Sequence, residues 1–244
     1  FDEQMIPSTW VWSDLGNYYG AGPCGLSIYE NKCDVEFSSF NKGESTEVTC
    51  VYPFIPKLTL NNKVKGMLTR NDLSYIFGAP YQNARIIKGG IPVNREKFIV
   101  KGSIPDPAYL AAFELDMELR SIGVRLANLS TTVRELKNKG ESVVLQKKKI
   151  IFTTWSPKLI EIITLTNMHS INLYAEHLIN QIGVSTSKFG NTDSGTQATT
   201  LFWKEKGLDI DGFYMNDGSG LSRFNGVTTQ QLVGVLKHMN ESYK

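Results

Sequence analysis

Ser170-Ile171-Asn172 places a hydroxyl and a carboxamide two positions apart at the head of the run Leu173 to Gly183. The hydroxyl, which can donate and accept at once, and the carboxamide would then lie together at a helix mouth. If that pair is functional, the chain is a piece of an enzyme. Spacing alone does not separate that reading from an ordinary helix entry, because a Ser before a helix is also a good N-cap, worth about 1 kcal/mol. The chain contains a second copy, Ser39-Phe40-Asn41, in a β-turn context.

The other reactive residues are weaker candidates. Ser-x-x-Lys occurs at Ser39 to Lys42 and at Ser185 to Lys188. A nucleophilic Ser of this kind needs a buried helix start that lays the Lys arm over the hydroxyl. The first copy reads as a hairpin tip and the second as a polar loop, so both are expected to be decoys. His169, His177 and His238 are isolated and expected to be structural, including His169 beside Ser170. No His, Cys and carboxylate grouping suggests a metal, and no residue pattern calls for a cofactor. Cys24, Cys33 and Cys50 lack metal-ligand spacing; Cys33 and Cys50 lie on strand-like runs that a hairpin could bring together. Asp217-Gly218-Ser219-Gly220 reads as a tight turn, with an anion cradle of backbone N–H groups as the other reading.

These residues need elements to hold them. Ile171, Ala175, Leu178 and Ile182 mark one helical face, with Gly183 as its stop and Ser170 as its entry. Before it, Pro157 starts a helical run over Leu159 to Asn167. After it come a loop from Ser185 to Gly190, a helix from about Gly195 to Lys206 with Ala198, Leu201 and Phe202 inward, and a last helix carrying Leu232, Val235, Leu236 and Met239. Thr228 with Gln231 three residues on makes a capping box for that last helix.

The first half reads differently. Trp10, Trp12, Asp14, Tyr18 and Tyr19 crowd a Gly-containing stretch that either presents rings and a carboxylate to a ligand or plugs a small core. From 31 to 93 the period is two: Cys33, Val35 and Phe37 alternate with charged residues, a turn follows at Asn41-Lys42-Gly43, and runs at Val48 to Tyr52 and Leu58 to Leu60 continue an antiparallel pattern. Ile86 to Pro92 and Ile99 to Pro105 each read as a strand ending in a Gly turn. Asp106-Pro107 opens a helix with Leu110, Phe113 and Met117 on one face, ending at Ile122-Gly123. Strands are expected again at Val143 to Leu145 and Lys149 to Thr153, giving strand, helix, strand.

At 244 residues, 41% hydrophobic and 20% charged, the chain is long enough for more than one unit and has an ordinary globular composition. A net charge of +2 argues against nucleic acid as partner, and the Lys147-Lys148-Lys149 run reads as a solvated strand end. No apolar run reaches the length of a membrane span. The opening Phe1-Asp2-Glu3 reads as the interior of a longer protein.

Three stretches in this order resemble one family, the penicillin-binding D-alanyl-D-alanine carboxypeptidase/endopeptidases of the DacB type, low-molecular-mass class C. Pro7-Ser8-Thr9-Trp10-Val11-Trp12-Ser13-Asp14 through Tyr18-Tyr19-Gly20-Ala21 is similar to the segment after that family's first insertion point. Ser170-Ile171-Asn172-Leu173-Tyr174-Ala175-Glu176 resembles its second catalytic motif, and Asp217-Gly218-Ser219-Gly220-Leu221-Ser222-Arg223 its signature turn. The resemblance implies a multidomain α/β plus all-β protein. Its units would be an inserted α/β domain at 1–30 and 94–150, a small antiparallel β domain at 31–93, and the helical part of a β-lactamase/DD-peptidase-like catalytic domain at 151–244. It implies a periplasmic or extracytoplasmic serine peptidase acting through an acyl-enzyme. Its partners would be peptidoglycan stem peptides and β-lactam antibiotics. Ser170 and Asn172 would be catalytic, and Asp14 and Tyr19, with Trp10 or Trp12, would contact the amino-bearing end of the stem peptide. The Ser-x-x-Lys and Lys-Thr-Gly motifs of such enzymes would lie outside this chain, which by itself is expected to be inactive. The competing expectation is a non-catalytic cell-wall peptide-binding module on the same scaffold.

Overall fold

The computed structural model describes residues 4–143 and 150–242. Its chain begins with a short helix, α1 (Trp12–Leu15), and then six strands: β1 (Lys32–Ser39), β2 (Glu47–Tyr52), β3 (Thr59–Met67), β4 (Tyr75–Phe77), β5 (Ala84–Pro92) and β6 (Arg95–Ser103). Helices follow: α2 (Pro107–Ser121), α3 (Val133–Asn138), α4 (Leu159–His169), α5 (Asn172–Ser187), α6 (Thr192–Glu205) and α7 (Thr229–Ser242).

The strands form two three-stranded sheets, β2-β1-β6 and β3-β5-β4. In β1 the alternation seen in the sequence is realised, with Cys33, Val35, Phe37 and Ser39 buried and the residues between them half-exposed. The inward side chains of both sheets meet in one core, Val35, Phe37, Val64, Ile76, Ile87, Ile91 and Val100, which Leu110 of α2 closes. Asp106 caps α2 by accepting from the Tyr109 N–H at 3.0 Å, and Pro107 takes the first position, where its missing N–H costs nothing.

Several expectations are corrected. The β structure is not all antiparallel: β3 and β5 run parallel, because β4 is interposed in the sequence and lies on the far side of β5. The Gly residues at 89, 90 and 102 lie inside strands rather than ending them. Gly102 pairs with Cys33, and a Cβ there would press on the Ile76 side chain at 2.9 Å. β6 pairs with β1 along its length, so strands of one sheet fall on both sides of position 93/94. Of the strands expected after α2, residues 144–149 lie outside the described residues, and Ile150 to Thr153 form no strand; Ile151 is 95% exposed. β1 and β2 pair with Glu36 opposite Cys50, which leaves Cys33 inward and Cys50 exposed, so no bridge joins them.

The helical half departs more. Helix α5 does not stop at Gly183 but runs four residues further, and its buried residues are Leu173, Glu176, Ile179, Asn180 and Gly183 rather than the Ile171, Ala175, Leu178 and Ile182 face. The reason is close backbone packing against α6. A Cβ on Gly195 would lie 2.1 Å from the Ile179 carbonyl oxygen, and one on Gly183 would lie 3.0 Å from that of Phe189. Helix α6 accordingly buries Gly195 and Thr196 while Leu201 and Phe202 stay exposed. On α7 the capping box forms as expected: Gln231 Oε1 accepts from the Thr228 N–H at 2.8 Å, and Thr228 Oγ1 accepts from the Gln231 N–H at 3.1 Å. Its Leu232, Leu236 and Met239 are nonetheless exposed, as is Met117 of α2. Among the described residues no helix is long and apolar enough to cross a membrane.

Candidate active site

Helix α4 ends at His169, and Ser170 follows it in the left-handed region, φ 52° and ψ 50°. The Ile171 N–H bonds back to the Thr166 carbonyl at 3.2 Å, closing the end of α4, and α5 starts at once with Asn172. Ser170 is therefore not the N-cap of α5. It is the corner between two helices, and its side chain is exposed rather than committed to a cap.

Asn172, at the first position of α5, donates from Nδ2 to the Tyr19 carbonyl at 2.8 Å. This bond draws the aromatic segment onto the helix start. A cavity of about 350 Å³ opens there, lined by Ser170, Asn172, Tyr18, Tyr19, His169 and Tyr174, with Glu30 and Lys32 as an ion pair on its wall. Tyr174 donates to Glu30 Oε1 at 3.3 Å. The Tyr19 hydroxyl reaches Asp14 Oδ1 at 3.4 Å; burial, and then the Asp14 charge, push its pKa up to about 12, so it stays a neutral donor. Asp14 thus adjoins the cavity through Tyr19.

The two Trp residues go elsewhere. Trp12 is 52% exposed on α1 and does not line the cavity. Trp10 is buried, and its indole Nε1 donates to Asp217 Oδ2 at 2.8 Å. The second Ser-x-Asn copy is structural: Ser39 Oγ donates to the Pro92 carbonyl at 2.6 Å and accepts from the Arg95 N–H at 3.1 Å. Ser185 donates to the Ile182 carbonyl within α5, whose end Lys188 caps in a left-handed conformation. His177 is paired with Ser27, Nε2 to Oγ 2.8 Å, and burial pushes its pKa down. Among the described residues no group of three or more His, Cys, Asp or Glu is placed to hold a metal ion.

Sequence reasoning missed a buried acidic junction one turn further along α5 from Asn172. The backbone N–H groups of Gly218 and Ser219 form an anion cradle, the reading of this turn that its composition left second, and its occupant is internal: both donate to Glu176 Oε1, at 3.0 and 2.8 Å. Asp217 is 2% exposed and accepts four hydrogen bonds: from Trp10 and the Ser222 N–H on Oδ2, and from the Gly220 N–H and Asn225 Nδ2 on Oδ1. The one available signal was a carboxylate at 176 inside an otherwise regular amphipathic run.

The D-Ala-D-Ala carboxypeptidase 3 (S13) family model matches residues 1–244. This chain belongs to that family. Penicillin-sensitive carboxypeptidase A of Dictyostelium discoideum is 27% identical to it over 241 residues, 96% of this chain and 44% of the relative. A D-alanyl-D-alanine carboxypeptidase of Actinomadura sp. is 29% identical over 154 residues, 63% of this chain and 28% of that protein. The crystal structure of penicillin binding protein 4 (dacB) from Haemophilus influenzae superposes with a TM-score of 0.79 at 19% identity, over 99% of this chain and 52% of that one. The chain thus spans about half the length of these proteins or less, and the likeness to the Haemophilus protein establishes the shared fold.

Proposed function

We propose that this S13 chain supplies the Ser-x-Asn side of the active site of an extracytoplasmic serine D-Ala-D-Ala carboxypeptidase/endopeptidase acting on peptidoglycan stem peptides and acylated by β-lactams. The observation that supports it best is the convergence of Ser170, Asn172 and Tyr19 on one cavity, in a chain that matches the family model throughout.

In this reading a nucleophilic Ser elsewhere in the whole protein attacks the D-Ala-D-Ala carbonyl. The C–N bond then breaks, the leaving amine takes a proton, and water later hydrolyses the ester. Ser170, exposed at the helix corner, passes that proton to the amine and recovers one from the base. Asn172, anchored through Nδ2, offers Oδ1 to the substrate's amide N–H. Asp14, held beside Tyr19, faces the cationic end of the stem peptide.

The test uses the full-length protein. Ser170→Ala is expected to slow labelling by a fluorescent penicillin by about 100-fold with only a small change in melting temperature, since Ser170 ends α4 through its backbone N–H. Unchanged labelling overturns the assignment, and reversible binding of stem peptide without any acylation of the unmodified protein supports the non-catalytic module instead. Asp14→Asn should reduce cleavage of amino-terminated stem peptides more than of neutral ones; equal losses refute its role.

A further inference from the structure

Asn172, Glu176 and Asn180 recur at every fourth position of α5 and so form one polar stripe along it, since residues four apart share a helix face. The first holds the Tyr19 carbonyl and the second holds the Gly218 and Ser219 N–H groups. Trp10, nine residues before Tyr19, holds Asp217 next to that turn. The aromatic segment, the turn and α5 are thereby tied pairwise into a closed triangle, with Asn172 and Glu176 making the two links of the α5 vertex.

One vertex lacks a hydrogen. Glu176 is fully buried, and its Oε2 has no partner; Asn180 is 4% exposed, and its Oδ1 has none either. In this orientation of the Asn180 amide the two acceptors cannot bond each other, and each left empty costs the desolvation of a buried polar atom. A proton on Oε2 would give Asn180 Oδ1, one helical turn on, a donor, while Oε1 keeps both N–H bonds.

We infer that Glu176 is carried in the folded protein as the neutral acid, donating to Asn180, and that it is a positioning residue which fixes Asn172 and the aromatic segment for the reaction. The second half rests on the function proposed above. Burial raises the Glu176 pKa most and the Asp217 charge adds to it, while hydrogen bonds from the Ser219 side chain and from the Ser219 and Gly218 N–H groups lower it; the outcome is about 7. His177, next in sequence, is engaged with Ser27, and among the described residues no cation pairs with Glu176.

The experiment compares the full-length protein with its Glu176→Gln and Glu176→Ala variants. Gln keeps the carbonyl oxygen and gives Asn180 an N–H, so it imitates the neutral acid at every pH. Infrared difference spectra of the unmodified protein against Glu176→Gln should show a protonated carboxylic acid band at pH 6 that fades by pH 8; its absence at pH 6 overturns the inference, whatever the enzyme does. Acylation by fluorescent penicillin should fall at least about tenfold in Glu176→Ala and be restored by Glu176→Gln. The ratio of Glu176→Gln to unmodified rates should change as pH crosses about 7, and a ratio flat from acid to alkaline pH overturns the positioning role. An unmodified protein that is never acylated refutes the proposed function, while the infrared band still decides the state of Glu176.

Discussion

Glu176→Gln should abolish the pH dependence of stability that one buried site gives this protein. A Glu ordinarily titrates near 4.5, and burial, with the Asp217 charge adding to it and hydrogen bonds from Ser219 and Gly218 opposing it, raises Glu176 to about 7 in the fold. The folded state therefore binds this proton more tightly than the unfolded chain. Its stabilising contribution is complete below pH 4.5 and is lost as pH rises through about 7. The gap between 4.5 and about 7, at about 1.4 kcal/mol for each pH unit, is worth about 3 kcal/mol. Gln does not titrate, so relative to the unmodified protein the variant should gain about 3 kcal/mol in denaturant unfolding between pH 4.5 and pH 8. The difference between the two proteins cancels every other titrating group. A difference that stays constant within about 0.5 kcal/mol across that range refutes the reasoning, because it would mean that the buried carboxylate ionises as freely in the fold as outside it.

The same junction yields two further expectations. Trp10→Phe removes one charge-assisted donor from buried Asp217 and should lower unfolding free energy by about 1.5–3 kcal/mol, an effect that should shrink in an Asp217→Asn background if the bond is its cause. Gly218→Ala places a methyl 2.5 Å from Ile179 Cγ1 and 2.6 Å from the Ala175 carbonyl oxygen. That overpacking should cost about 2–3 kcal/mol by thermal unfolding, and a neutral result would mean that the turn does not pack on α5 as described.

The sequence by itself determined the local features. The alternation of Cys33, Val35 and Phe37 makes β1, Asp106-Pro107 starts α2, and Thr228 with Gln231 caps α7, because each signal lies within a few residues of what it specifies. It also contained the Ser170 and Asn172 pair and the residues of the aromatic segment. Tertiary structure decided their relations. Which strand lies beside β5, which face of α5 is buried, and that Trp10 serves Asp217 while Tyr19 meets Asn172 all depend on contacts between residues far apart in the chain. The α5 face was misjudged for a physical reason: Glu176 and Asn180 look like solvent-side residues when water is their assumed partner. In the fold, Glu176 meets the N–H groups of a turn 42 residues away, and only that encounter makes its burial affordable.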